Sequence, residues 1–216
     1  MSRVRLLRTT QVVLFSVLLF GCQKKARDEI DFGNFSNSVY KNNYFGMTVA
    51  IPSDWSIQDQ EAQRRLMKAG SAAVAGDDRN MKALLRASEL QTVNLFAAFK
   101  HPLGTPVDYN PAVMSMAEMV RQMPGIKRGK DYHFQVRKLL ESSQVKVSFP
   151  KEIYTEQLGG INFDVMDTEI KVRGVTVKQK YYATIKKGYA LCFITAFTTD
   201  DEEASLHKIL ETVKFQ

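Results

Sequence analysis

The segment that most narrows the fold runs from Glu152 to Thr198. Four strand-like runs follow one another there, separated by Gly159-Gly160, Arg173-Gly174 and Lys187-Gly188. Runs joined by such turn signals predict an antiparallel meander. In the last run Tyr189, Leu191, Phe193 and Phe197 share one side by the two-residue period, and Ala190, Cys192, Ile194 and Ala196 share the other. Both sides are apolar, so this strand requires cover on both faces of its sheet. Helical spacing supplies the cover. Ala62, Leu66, Ala69 and Ala73 mark a helix over residues 58–75, with a second short one near 79–88. Tyr132, Val136, Leu139 and Leu140 mark a helix over 130–142, and Leu206, Ile209, Leu210 and Val213 a closing one from Asp200. Residues 91–99 read as a strand. Asn110-Pro111 reads as a helix opening, followed by Met116, Met119, Val120 and Met123 at i, i+3, i+4 and i+7. The expected fold class is α+β, an antiparallel sheet covered by helices on both faces.

The N-terminus reads as an address. Arg3, Arg5 and Arg8 precede an uncharged stretch from Thr9 to Gly21, 13 residues long. As a helix it would measure about 20 Å at ~1.5 Å per residue. That is short of the roughly 20 residues a bilayer core needs, so it reads as a signal-peptide core and not as a permanent span. Leu19-Phe20-Gly21-Cys22 then resembles a bacterial lipobox. The resemblance implies a diacylglyceryl group on the Cys22 sulfur and cleavage before Cys22. Two or more acyl chains hold a protein stably at a membrane where one does not. Gln23 stands where an Asp would resemble an inner-membrane retention signal, which favours the outer membrane, facing the periplasm, in a didermal host. The expected division is a signal peptide over 1–21, a lipid-anchored polar tether over 22–38 and one domain over 39–216.

Loss of residues 1–21 lowers the formal charge from +7 to +4. With so little basic excess on an exported domain, a nucleic-acid partner is not expected. Lys24, Lys25 and Arg27 stand beside the anchor, where each would gain roughly 1 kcal/mol near anionic headgroups.

The two ends of the domain carry a family resemblance. Tyr44-Phe45-Gly46, the alternating run to Ile51-Pro52, and Trp55 resemble the opening of PsbP-like domains. Gly188 through Ile194, an acidic helix start, and Leu206, Ile209, Leu210, Val213 and Phe215 look like their final strand and helix. The resemblance implies a PsbP-like α/β/α sandwich and a protein that presents docking surfaces. It supplies no catalytic motif.

Chemistry-bearing residues are sparse. His101, His133 and His207 have no HxxxH or HxH spacing, so no metal ligand set is expected. Cys192 lies on a strand buried on both faces and reads as a small hydrophobe. No G-x-S-x-G elbow is present. Asp164, Asp167 and Glu169 cluster on one strand, which reads as a charged sheet edge. No catalytic residue, cofactor or metal is expected, and the chain does not read as an enzyme. Two surfaces stand out as ligand or partner candidates: Met116, Met119 and Met123, through the adaptability of methionine, and Lys127, Arg128 and Lys130, through their charge. The leading expectation is a non-catalytic docking or assembly module, anchored to the membrane by the Cys22 lipid and meeting another envelope protein. The alternative is a carrier or sensor of a hydrophobic or anionic small molecule, and the third is a hydrolase without a recognisable motif.

Overall fold

The computed structural model describes residues 30–172 and 174–216. The expected signal peptide and the acylation site at Cys22 lie outside the described residues.

In chain order the strands and helices are β1 (Asn34–Ser36), β2 (Val39–Asn42), β3 (Met47–Ala50), β4 (Ser56–Ile57), α1 (Gln60–Ala75) and α2 (Arg79–Glu89). They continue with β5 (Thr92–Phe99), β6 (Ala112–Met119), α3 (Gly129–Glu141), β7 (Val147–Ser148), β8 (Tyr154–Leu158) and β9 (Ile161–Val172). The last are β10 (Val175–Lys186), β11 (Tyr189–Phe197), α4 (Asp200–Glu211) and β12 (Lys214–Phe215). The large sheet has the order β4-β5-β6-β11-β10-β9-β7, with β8 also paired to β9, and every pairing is antiparallel. The meander expected over residues 152–198 is β8 to β11.

Cover is provided on both faces of β11. On one side Leu191 and Phe193 pack with Tyr40, Phe45, Met47 and Val49 and with Leu206, Ile209 and Leu210 of α4. A second, four-stranded sheet (β1-β2-β3-β12) therefore shares this side with α4. On the other side Ala183, Ala190 and Cys192 pack with Tyr132 of α3. Small residues on the strands let α3 approach the sheet backbone. Gly129 opens α3 at this approach, where an added Cβ would collide with the Ala183 carbonyl.

The helix starts are fixed by side chains that satisfy free backbone N–H groups. Asp59 accepts from the Ala62 N–H at 2.7 Å, and Asp78 from those of Asn80 and Met81 at 2.8 and 2.9 Å. Asp131 accepts from the N–H groups of Lys127 and Arg128 at 3.0 and 2.9 Å. Thr199 and Glu202 form a reciprocal pair at the start of α4, where four successive acids also complement the helix dipole.

Four expectations need correction. The helix expected after Asn110-Pro111 is the strand β6, hydrogen-bonded between β5 and β11. Asn110 does not cap a helix: its side chain bonds the His101 N–H and carbonyl at 2.9 and 2.8 Å, extending the sheet edge by mimicking a backbone partner. Next, residues assigned to the tether belong to the fold. β1 pairs with β2, Ile30 and Phe35 pack on the core, and Tyr40 and Asn42 bond the carbonyls of Phe32 and Asp31. Ala69 and Ala73 are exposed on α1, whose inward side is instead Ala62, Gln63, Leu66 and Ala75. Finally, β9 is no edge strand, since β10 lies on one side and β7 and β8 on the other.

Gly129→Ala should destabilise the fold by about 2–3 kcal/mol through the clash at Ala183. Gly70→Ala, where an added Cβ meets nothing within 4 Å in α1, should stabilise it by about 0.5–1 kcal/mol. Urea midpoints of the two variants test both signs.

Candidate functional site

α1 and α3 lie over the same face of the large sheet, and just past α3 the Gln144 N–H donates to the Val74 carbonyl of α1 at 3.3 Å. Between them lies a cleft of about 350 Å³. Its floor includes Met114, Met116 and Ile194; its walls are Leu66, Met67 and Val74 from α1 and Leu139 and Leu140 from α3. Leu66, Val74, Leu139 and Leu140 are only half-buried. Gly70 contributes no side chain to the wall. Polar residues interrupt the apolar lining, Gln63, Ser71, Asn94, Ser115 and Tyr181; Gln63 is buried, its Nε2 donates to the Gln58 carbonyl at 2.9 Å, and its Oε1 has no partner. A buried acceptor without a donor costs about 1–3 kcal/mol.

A second cleft, of about 510 Å³, lies between α1 and α2. Arg64 and Lys68 enter it from α1, Lys82 and Arg86 from α2, and Glu89 is the acidic group among its lining residues. The Glu89 carboxylate accepts from the Ser71 hydroxyl at 2.6 Å. Met67, Ser71, Leu85 and Asn94 border both clefts.

The three expected methionines do not act together. A separation of three residues places side chains on one face of a helix but on opposite faces of a strand. Met116 accordingly lines the cleft, Met119 packs on the main core beneath the second sheet, and Met123 stands exposed in the turn after β6. Met114, which belongs to the same methionine cluster in the sequence, lines the cleft beside Met116.

Lys127, Arg128 and Lys130 do come together, at the entry to α3, but among acids. Their neighbours include Asp131, Glu152 and Asp164 around an open groove of about 560 Å³. Asp164 accepts from the Lys130 N–H at 2.8 Å and the Thr155 hydroxyl at 3.0 Å, and lies 3.7 Å from the Arg128 guanidinium. The two backbone N–H groups on Asp131 hold its carboxyl below the usual range. This is a helix start with mixed charge and not a uniform basic patch.

The remaining candidates are built into the frame. Asp167 accepts from the Tyr154 hydroxyl at 3.1 Å and pairs with Lys151 at 3.2 Å, so Asp164 and Asp167 serve different partners. Burial pushes the Cys192 thiol far above its ordinary value, which leaves no thiolate at neutral pH. Glu118 accepts from Tyr132 and Ser88 at 2.7 and 2.8 Å, tying α3 and α2 to β6. His133 is buried with its Nε2 2.9 Å from the Asp164 carbonyl. Among the described residues no three His, Cys, Asp or Glu side chains gather as a metal site, and no helix is long and apolar enough to cross a membrane.

The basic cleft between α1 and α2 escaped the reading of the sequence. The available signal was a pair of like charges at i, i+4 on each of two consecutive short helices, Arg64 with Lys68 and Lys82 with Arg86. Such pairs are unfavourable in isolation.

The sequence matches no protein-family model and no curated protein. Solved structures of similar layout include LpqN of Mycobacterium tuberculosis, described as involved in cell envelope biogenesis. It is 15% identical with a TM-score of 0.43, over 78% of this chain and 82% of that one. The cyanobacterial PsbP of Synechocystis sp. PCC 6803 is 10% identical with a TM-score of 0.48, over 85% of this chain and 98% of that one. A Pseudomonas aeruginosa protein of unknown function is 13% identical with a TM-score of 0.40, over 81% and 93%. At this level of superposition the likenesses carry no argument about what the chain does.

Burial holds the His133 imidazole below its ordinary 6.5. The folded chain therefore disfavours protonation more than the unfolded chain does. Stability from this group is complete above pH 6.5 and declines as the pH falls below it. Thermal midpoints should drop between neutral and mildly acidic pH, and His133→Gln should flatten that slope while costing about 1–3 kcal/mol at neutral pH.

Proposed function

We propose that this chain is a lipid-anchored envelope protein whose domain binds an apolar ligand in the cleft between α1, α3 and the large sheet. The observation that carries the reading is the half-buried leucine lining of that cleft. Leu66, Leu139 and Leu140 stand along it, and among the described residues no element fills the space between them. Its volume of about 350 Å³ falls in the range of roughly 300–1,000 Å³ usual for small-molecule sites. Each methylene a ligand buried there would contribute about 0.8 kcal/mol.

Cys22 supports the location, through the acyl chains that its lipobox resemblance implies. A membrane anchor keeps the cleft at high local concentration relative to anything that leaves the bilayer. Uptake then needs binding alone, with no bond made or broken. The docking reading at Lys127, Arg128 and Lys130 has less support, because Asp131 and Asp164 already engage the backbone or side chains there.

A photocrosslinking amino acid in place of Leu140, in the full-length chain irradiated in its own envelope, tests the cleft. The expected product is a small hydrophobic adduct, absent when the same group replaces the exposed Leu103. Adducts to other proteins alone would overturn the reading in favour of docking. Val74→Trp should fill the cleft and reduce the adduct by about tenfold, the effect of some 1.4 kcal/mol. Separately, Cys22→Ala should release the chain from membranes or leave it unprocessed; unchanged fractionation and acyl labelling would refute the anchor.

A further inference from the structure

The apolar cleft has a charged neighbour. It borders the basic cleft between α1 and α2 along Met67 and Leu85, side chains that belong to both. Arg64 and Lys68 are one turn apart on α1, and Lys82 and Arg86 one turn apart on α2. All four line the same space. None of them has an ion-pair partner among the described residues; the pairs formed on these two helices are limited to Arg65 with Glu61. Glu89 supplies a single opposing charge and already takes the Ser71 hydroxyl.

Four cations facing one cleft repel one another, and each helix carries an unfavourable like-charge pair. An anion seated between them would relieve both effects and gain charge-assisted hydrogen bonds, the guanidinium forks of Arg64 and Arg86 being suited to carboxylate or phosphate oxygens. The apolar cleft next door would take the rest of such a molecule. Resting on the reading proposed above, we infer that the ligand is an anionic single-chain amphiphile. Its alkyl chain lies in the α1–α3 cleft and its head group is held by Arg64, Lys68, Lys82 and Arg86. A fatty acid and a lysophospholipid both present this chemistry.

The experiment uses three photoreactive probes with one diazirine-bearing alkyl chain: a carboxylic acid, a lysophosphatidylglycerol and the neutral alcohol. Each is added at equal fraction to neutral phosphatidylcholine vesicles carrying the full-length chain, and labelled peptides are mapped by mass spectrometry. At least one acidic probe should label the α1 and α3 peptides that line the apolar cleft about tenfold more than the alcohol, and whichever labels more names the head group. The excess should shrink as salt is raised, because exposed charges are screened over about 10 Å at 0.1 M ionic strength. Arg64→Gln with Lys68→Gln, or Lys82→Gln with Arg86→Gln, should bring it down toward the alcohol level. Equal cleft labelling by all three probes, unmoved by salt or substitution, would overturn the head-group inference and leave the apolar cleft standing. Cleft labelling by none would overturn both.

Discussion

The fold depends on one demand: β11 is apolar on both faces, and an apolar strand at the centre of a sheet must be kept from water on each side. The two sides meet it differently. Beneath Leu191 and Phe193 a second sheet and α4 enclose large aromatic side chains, with Phe163 and Phe193 at 5.6 Å and Tyr40 and Phe96 at 4.8 Å. Above Ala190 and Cys192 the residues are small, and α3 comes close enough that only glycine fits at position 129. The first side is thick and filled. The second is thin, and its helices do not close over it.

That difference produces the clefts. α3 sits tightly over β9 and β10, while α1 and α2 lie over β5 at the far side of the same face. The strands between them, β6 and β11, carry side chains such as Met114, Met116 and Ile194 that line the open cleft among the described residues. Cover that is sufficient to keep the sheet folded is not sufficient to exclude a guest. The Tyr132–Glu118–Ser88 chain of hydrogen bonds holds the helices at this spacing, because shifting α3 or α2 would strand the buried Glu118 carboxylate.

Much of the architecture could be read from residues alone, and the reasons differ by element. The meander was legible because glycine turns separate strand-like runs, the last of them apolar on both sides, and α4 because an acidic start at Asp200 precedes a clear apolar stripe. The strand β6 was not. Its sequence, AVMSMAEM, satisfies both periods, and Asn110-Pro111 tipped the choice toward a helix although Asn110 serves a sheet edge. β1 was hidden in a polar stretch in which Ile30 and Phe35 alone pack on the core. As for the candidate site, Met116, Leu139 and Leu140 were recognisable as apolar positions, but a cleft is a property of the gap between helices, which no periodicity records. The cationic cleft needed the mutual placement of α1 and α2 in the same way.

The pinning of residues 31 and 32 by Tyr40 and Asn42 has a geometric consequence. Since the fold already holds the chain at Ile30, on the proposed reading only the span from Cys22 to Ile30 would separate an acylated sulfur from the body of the domain. Fully stretched, that span covers at most about 30 Å, at ~3.6 Å per residue. A leash so short would confine the domain to a shallow shell above the membrane. It would scan the lipid surface directly below it and hand its cargo only to acceptors that come to that same surface.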